Sequence, residues 1–240
     1  MNSILLSDTV GGIVTRNLEL SRLFEEVGID YCCHGGHLLS QALEEKNLDS
    51  IEFMRKLEEY ESSSREDIFI DVSPMSLTEL IDHIIQVHHL YLRNELDHLT
   101  YLAGEVARAH KDKDHRLEGL VRTVSLLATE LGEHMLKEEQ MLFPMIRELD
   151  ASSNLPDSHC GSIANPIRVM ESEHDLAGTL LEDLSEISDQ YTPPTWACTK
   201  FRVLLNALSK LEHNLHVHIH KENNILFPRA LKMEREKITS

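Results

Sequence analysis

The chain's 240 residues allow one or two domains and a sizeable core without covalent cross-links. Its 41 acidic against 23 basic residues give a formal charge of −18, which argues against nucleic acid or an anionic membrane as the main partner. No apolar run approaches the roughly 20 residues that span a bilayer, the start from Met1 to Val14 has no secretory pattern, and the four cysteines form no disulfide framework, so the expected setting is a reducing cytoplasm.

Residues 1–61 read as a small helical domain. Thr15 to Val27 is periodic enough for one helix, and Gly28 suits the left-handed turn that ends it. Ile29 to His37 reads as a turn, and Leu38–Lys46 and Ser50–Tyr60 as further short helices. Residues 62–73 begin polar and unpatterned, from Ser62 to Asp67, and read as a linker. Four long helical patterns fill residues 74–240. The first starts near Ser73-Pro74 or at the capping box Ser76-x-x-Glu79 and runs to about His110. The second runs from about His115 to Leu149. The third begins with Asn165 as N-cap and Pro166 as first helical residue and ends near Gln190. The fourth follows Thr192-Pro193-Pro194 and ends near Lys237. No alternating strand pattern occurs, so the expected class is all-α, an up-down four-helix bundle preceded by a small helical domain.

Fifteen histidines are the compositional anomaly, and some of them repeat. His134-x-x-x-Glu138 and His218-x-x-x-Glu222 are each followed by Leu-Phe-Pro at the same offset. His89 and His174 precede the two pairs at nearly equal distances. Leu117, Leu120, Val124, Leu127, Leu131, His134, Glu138, Leu142 and Met145 form one stripe at steps of three and four. In the fourth helix the stripe runs through Leu208, Leu211, Leu215, His218, Glu222, Ile225 and Arg229; in the third, through Ile167, Met170, His174, Ala177 and Leu181. A buried carboxylate is costly unless paired or metal-bound, and the i, i+4 spacing puts each His and Glu on one face. In the first helix His89 lies with Ile81, Ile85, Leu92, Leu96 and Leu99, and His88 on a face that turns polar, so His89 is the ligand candidate.

Four imidazoles and two carboxylates exceed one tetrahedral zinc. They suit two metals, each with two histidines, bridged by the glutamates and a solvent oxygen. Iron fits the donor set, as do zinc and manganese. His83 and His98 lie off the stripe and read as surface or supporting residues, and His213, His216 and His220 lie away from the ligand stripe and read as solvated. Glu173 reads as a helix-surface acid, with a role behind a ligand as the alternative. Cys32 and Cys33 lie in a Gly-rich turn beside His34 and His37, a setting for thiol chemistry or metal transfer. Cys160 and Cys198 read as free buried cysteines.

The chain resembles the iron-sulfur cluster repair di-iron proteins, the repair-of-iron-centres family. The likeness is carried by Gly28-Ile29-Asp30-Tyr31-Cys32-Cys33, by His88-His89, by His134-x-x-x-Glu138 with its Leu-Phe-Pro, by Asn165-Pro166-Ile167 through Glu173-His174-Asp175, and by His216-x-His218-x-His220-x-Glu222-Asn223-Asn224-Ile225-Leu226-Phe227-Pro228. The resemblance implies a hemerythrin-like bundle behind a Cys-Cys domain. It also implies an oxo- or hydroxo-bridged non-haem di-iron centre held by His89, His134, His174 and His218, with Glu138 and Glu222 bridging. The implied role is repair, under stress, of iron-sulfur clusters damaged by nitric oxide or oxidants, by an iron donor rather than a typical enzyme. Cluster proteins or a cluster scaffold would be the acceptors, nitric oxide or oxygen the ligands, and a homodimer a compatible assembly. The rival readings are a di-iron nitric oxide reductase and a nitric oxide or oxygen sensor. His34, between the cysteine pair and Gly35-Gly36, departs from the family's commonest run. The ligand set also differs from the five-histidine set of oxygen-carrying hemerythrins.

Overall fold

The computed structural model describes residues 4–17, 20–31, 34–62, 71–152 and 162–239. The chain divides into two compact units: Met1–Ser76 with His216–Arg229, and Leu77–Leu215 with Ala230–Ser240. The molecule is all-α; among the described residues the β-type pairing is confined to an isolated bridge between Thr9 and Leu38.

In the first unit, α1 (Val10–Arg16) is capped by Thr9, whose hydroxyl accepts from the Gly12 amide. Asn17 is extended at φ −150 and ends it, and α2 (Ser21–Glu26) follows. The single helix expected over Thr15–Val27 is therefore two helices, the first starting well before Thr15. The pair Gly11-Gly12 masked that start, because glycine weakens a helical signal. Gly28 has φ +68, and the Ile29 amide donates to the Phe24 carbonyl at 2.9 Å, closing α2 with a left-handed turn. α3 (Leu39–Glu45) and α4 (Ser50–Ser62) complete the unit's short helices. The linker expected at 62–73 lies largely outside the described residues. Ile13, Leu20, Phe24, Tyr31, Leu39, Leu43, Phe53 and Leu57 form the core, with the Phe24 and Phe53 rings 5.6 Å apart. Each such side chain gains about 1.5–3 kcal/mol by leaving water.

The long helices are α5 (Leu77–Ile84) and α6 (Leu90–His110); α7 (Arg116–Lys137) and α8 (Phe143–Ala151); α9 (Ala164–Ile187); and α10 (Thr199–Lys221) and α11 (Phe227–Ile238). π turns join the split pairs at Ile85–His89, Glu138–Leu142 and Glu222–Leu226. Two of the three precede a Phe-Pro. A proline has no N–H and crowds the carbonyl four residues back; a wider turn relieves both. Nothing in the sequence of the first helix explains its π turn.

Each inserted residue rotates the helix beyond it. Ile146 is buried where the unbroken stripe named Met145, and Ala230 is buried where it named Arg229. In the first helix the buried row is Leu77, Leu80, Ile81 and Ile84, and the π turn brings it into register with His89, Leu92, Leu96 and Leu99. α6 packs on α7, α7 on α9, and α5 on α8. α9 begins at Ala164, two residues before Pro166. Glu234, itself buried, caps it by accepting from the Ile163 amide at 2.8 Å and the Ser162 hydroxyl at 2.7 Å. No described helix is long and apolar enough to cross a membrane.

Candidate metal centre

The second unit contributes four of the six expected ligands. His89 ends the first π turn, His134 lies in the last turn of α7, Glu138 opens the second π turn, and His174 lies midway along α9. All four are buried, His89 and Glu138 completely. Glu138 Oε2 stands 3.3 Å from His89 Nε2 and 3.4 Å from His134 Nε2, so one carboxylate oxygen lies within reach of two imidazoles. His134 Nε2 and His174 Nε2 face each other at 3.1 Å. Two imidazole nitrogens that close need a shared proton or a cation between their lone pairs. His134, Glu138 and His174 bring ligand atoms within 4.8 Å of one another.

The outer nitrogens of two of these rings are held by carboxylates. His89 Nδ1 is 2.6 Å from Glu139 Oε1, which also accepts from Arg93 at 2.6 Å. His134 Nδ1 is 2.9 Å from Glu173 Oε2, and the other oxygen of Glu173 accepts from Lys137 at 2.6 Å. A ring that donates from Nδ1 keeps its lone pair on Nε2, the nitrogen turned towards Glu138. Burial pushes both supporting carboxyls up, but the hydrogen bonds from His89 and Arg93 leave Glu139 below the usual range, and those from Lys137 and His134 do the same for Glu173. Both therefore stay ionised as acceptors. Glu173, expected as a surface acid, is instead a positioning group. In the first unit, His218 and Glu222 are also buried, with His218 Nε2 3.2 Å from Glu222 Oε1 across the i, i+4 step into the third π turn.

Residues 80–230 match the hemerythrin HHE cation binding domain, and residues 6–61 match a domain of unknown function, DUF542. The iron-sulfur cluster repair protein YtfE of Escherichia coli O8 (strain IAI1) is 41% identical over 214 residues, covering 89% of this chain and 92% of that protein. The YtfE of Enterobacter sp. (strain 638) is 39% identical over 94% of this chain and 97% of its own length. A probable iron-sulfur cluster repair protein of Haemophilus influenzae is 37% identical over 88% of this chain and 91% of its own. The chain belongs to the hemerythrin HHE family and to the iron-sulfur cluster repair proteins. Its buried His and Glu residues include clusters that could hold a metal ion, and the matching domain is a cation binding one.

Several residues of this hemerythrin-type chain differ from their sequence-based reading. His220 was expected to be solvated and is fully buried. Its Nδ1 is 3.2 Å from the Tyr31 carbonyl and its Nε2 3.2 Å from the Thr15 hydroxyl. Burial depresses its pKa to about 4, so the ring is neutral. His216 packs edge-on to the Tyr31 ring. His88 is buried as well as His89, its Nδ1 3.1 Å from Asn214 Oδ1. Cys198 is exposed rather than buried, with Sγ 3.2 Å from His110 Nε2. Cys32, Cys33 and Cys160 lie outside the described residues.

Glu139 and Arg93 were missed. The signal for them was present: Glu139 follows Glu138 directly, and Arg93 is one helical turn beyond His89. Glu139→Ala is expected to lower metal affinity about 10–100-fold, because His89 would lose the acceptor that fixes its ring. Isothermal titration with ferrous iron checks this. An unchanged affinity would mean that packing alone orients His89, for instance its stack on Phe143 at 5.7 Å.

Proposed function

We propose that His89, His134, His174, His218, Glu138 and Glu222 hold two iron ions, and that the protein repairs damaged iron-sulfur clusters by donating iron. Each ion would take two of the four histidines, with Glu138 and Glu222 as the bridging carboxylates. The observation that carries this reading is the Glu138 oxygen within 3.4 Å of two histidine nitrogens, the position a bridging carboxylate needs. Histidine and carboxylate together suit iron, and bundle cores house such pairs of ions. Repair enters through the names of the relatives.

Iron held there would supply exchangeable coordination positions, which would make release feasible. The chain's own residues then set the balance between holding and releasing. Glu139 and Glu173 keep the Nδ1 protons of His89 and His134, so both rings present Nε2 lone pairs inward. Arg93 and Lys137 neutralise those two carboxylates, which would otherwise add charge beside a buried site. Cys32 and Cys33 are the proposed thiols of transfer to a sulfur-rich acceptor, an iron-sulfur protein or cluster scaffold in the cytoplasm. Residues 1–61 would be the transfer domain and 74–240 the iron-holding bundle, with 62–73 between them.

The test mixes iron-loaded protein with an apo or nitric-oxide-damaged cluster protein and follows acceptor activity against free iron at equal concentration. Recovery above the free-iron control is expected. Recovery equal to the control would overturn the donor role, and nitrous oxide released by the reduced protein would point to nitric oxide reduction instead.

A further inference from the structure

The fourth long helix carries two differently used faces within 216–229. His218 and Glu222 occupy one. His216, His220 and Asn224, also four residues apart, occupy a face offset by two residues, or about 200° around the helix. This second row meets the N-terminal turn. Tyr31 is buried at 1% exposure, its ring edge-on to His216 and tilted against His220 at 5.5 Å. The Tyr31 carbonyl lies 3.2 Å from His220 Nδ1 and accepts from Asn224 Nδ2 at 3.4 Å. A neutral ring protonated on Nδ1 donates to that carbonyl, and its Nε2 lies 3.2 Å from the hydroxyl of Thr15 in α1, which itself donates to the Gly11 carbonyl at 2.8 Å.

Asn224 also fills a notch made by two glycines. A Cβ on Gly11 would stand 2.4 Å from Asn224 Oδ1, and one on Gly35 would stand 2.5 Å from the same atom. The notch is closed by backbone: the Gly11 amide donates to the Gly35 carbonyl at 2.8 Å, and the Val10 amide to the His37 carbonyl at 2.9 Å. Tyr31 and Gly35, on either side of residues 32–34 in the sequence, are thus seated against α1 and the π turn Glu222–Leu226. Glu222 opens that π turn and Asn224 sits two residues on, at its centre. A π turn inside an α-helix is rare and frequent at functional sites, and this one joins a candidate ligand to a wedge between two glycines.

The geometry points to a coupling device: metal capture by Glu222 fixes the π turn, and through Asn224 and His220 tightens the seat of Tyr31 and Gly35 against α1. The metal site and this seat then cease to be independent, and are linked by one coupling free energy. Asn224 and His220 are positioning residues in this arrangement. The inference rests on the proposed metal site and adds to it a route from that site to this seat.

Hydrogen exchange on the full chain tests it, with and without ferrous iron under anaerobic conditions, after metal content is measured. In the wild type the Val10 and Gly11 amides are expected to exchange about fivefold or more slowly when iron is bound. Asn224→Ala should keep its iron content and lose that difference. Thr15→Val, remote from the ligands and close in shape, should reduce it and carries the test if Asn224→Ala fails to fold. Iron uptake with no change in exchange, or a full change retained in the variant, would overturn the coupling alone. No iron uptake by the wild type would remove the metal-site reading and the coupling with it.

Discussion

Glu138→Ala and Glu222→Ala are each expected to bind iron at least roughly tenfold more weakly than the wild type, whereas His213→Ala binds it normally. Removing a direct ligand should cost no less than removing a group behind one, which already costs about 10–100-fold. The stability readout is separate from the affinity. Iron at about one hundred times its dissociation constant stabilises the folded state by about 2.7 kcal/mol, which in a chain of this length raises the melting temperature by roughly 5–10 °C. That rise should fall by about half or more in the two glutamate variants and persist in full in His213→Ala. Glu138 and Glu222 are fully buried and His213 is half-buried, so the contrast separates a metal role from general damage to the helix. Equal iron loading in all three variants would show that the buried stripes were misread as ligands.

Much of the fold was legible because burial and helical period agree. Leu117 through Glu138 keeps one unbroken α-helical phase, and every stripe position named there is buried. The third helix is equally regular, from Ile167 to Leu184. Legibility fails where the phase changes. A π turn inserts one residue, so Met145 and Arg229 were named where Ile146 and Ala230 are buried. The same insertion explains why His88 and His89 seemed to need a choice of face. Both are buried, because the wide turn merges the Ile84 row with the Leu92 row. The repeated Leu-Phe-Pro was a visible sign, since a proline deep in a helix must be accommodated by some local change.

The partners of the ligands were less legible for a different reason. Glu173 and Glu139 contact histidines 39 and 50 residues away, and a helical wheel shows only neighbours within a few turns. His220 escaped for the same reason: its partners Tyr31 and Thr15 are separated from it by 189 and 205 residues. A wheel places such a residue off the ligand face and leaves it to solvent, although the N-terminal part of its own unit covers it. Cys198 errs in the opposite direction. Free cysteines are more often buried, yet this one stands exposed just before α10, beside His110 at the end of α6.

Gly35→Ala is expected to destabilise the first unit by about 1–3 kcal/mol, the usual cost of forcing a methyl group into a filled space. The new Cβ would stand 2.6 Å from the Tyr31 carbonyl oxygen and 3.0 Å from the Gly11 Cα, and both are backbone, so side-chain rotation cannot relieve them. Gly11→Ala meets a different obstacle. Its worst contacts are Asn224 Oδ1 at 2.4 Å and Cγ at 3.0 Å, a side chain that can be removed. Combining each with Asn224→Ala therefore separates the two. The Gly11 pair should show a favourable coupling of about 0.5–3 kcal/mol in urea unfolding, while Gly35→Ala should recover little because Tyr31 remains in the way. Rescue of both to the same extent would mean that Asn224 alone defines the notch and that the backbone around Tyr31 is free to yield. No rescue of either would mean that the glycine-to-glycine approach of α1 and the turn, 3.0 Å from Gly11's added Cβ to the Gly35 Cα, sets the limit by itself. The unequal rescue follows only if Asn224 is a wedge in a seat whose floor is rigid, which is the property the proposed coupling needs for a small movement of the π turn to reach Tyr31 and Gly35.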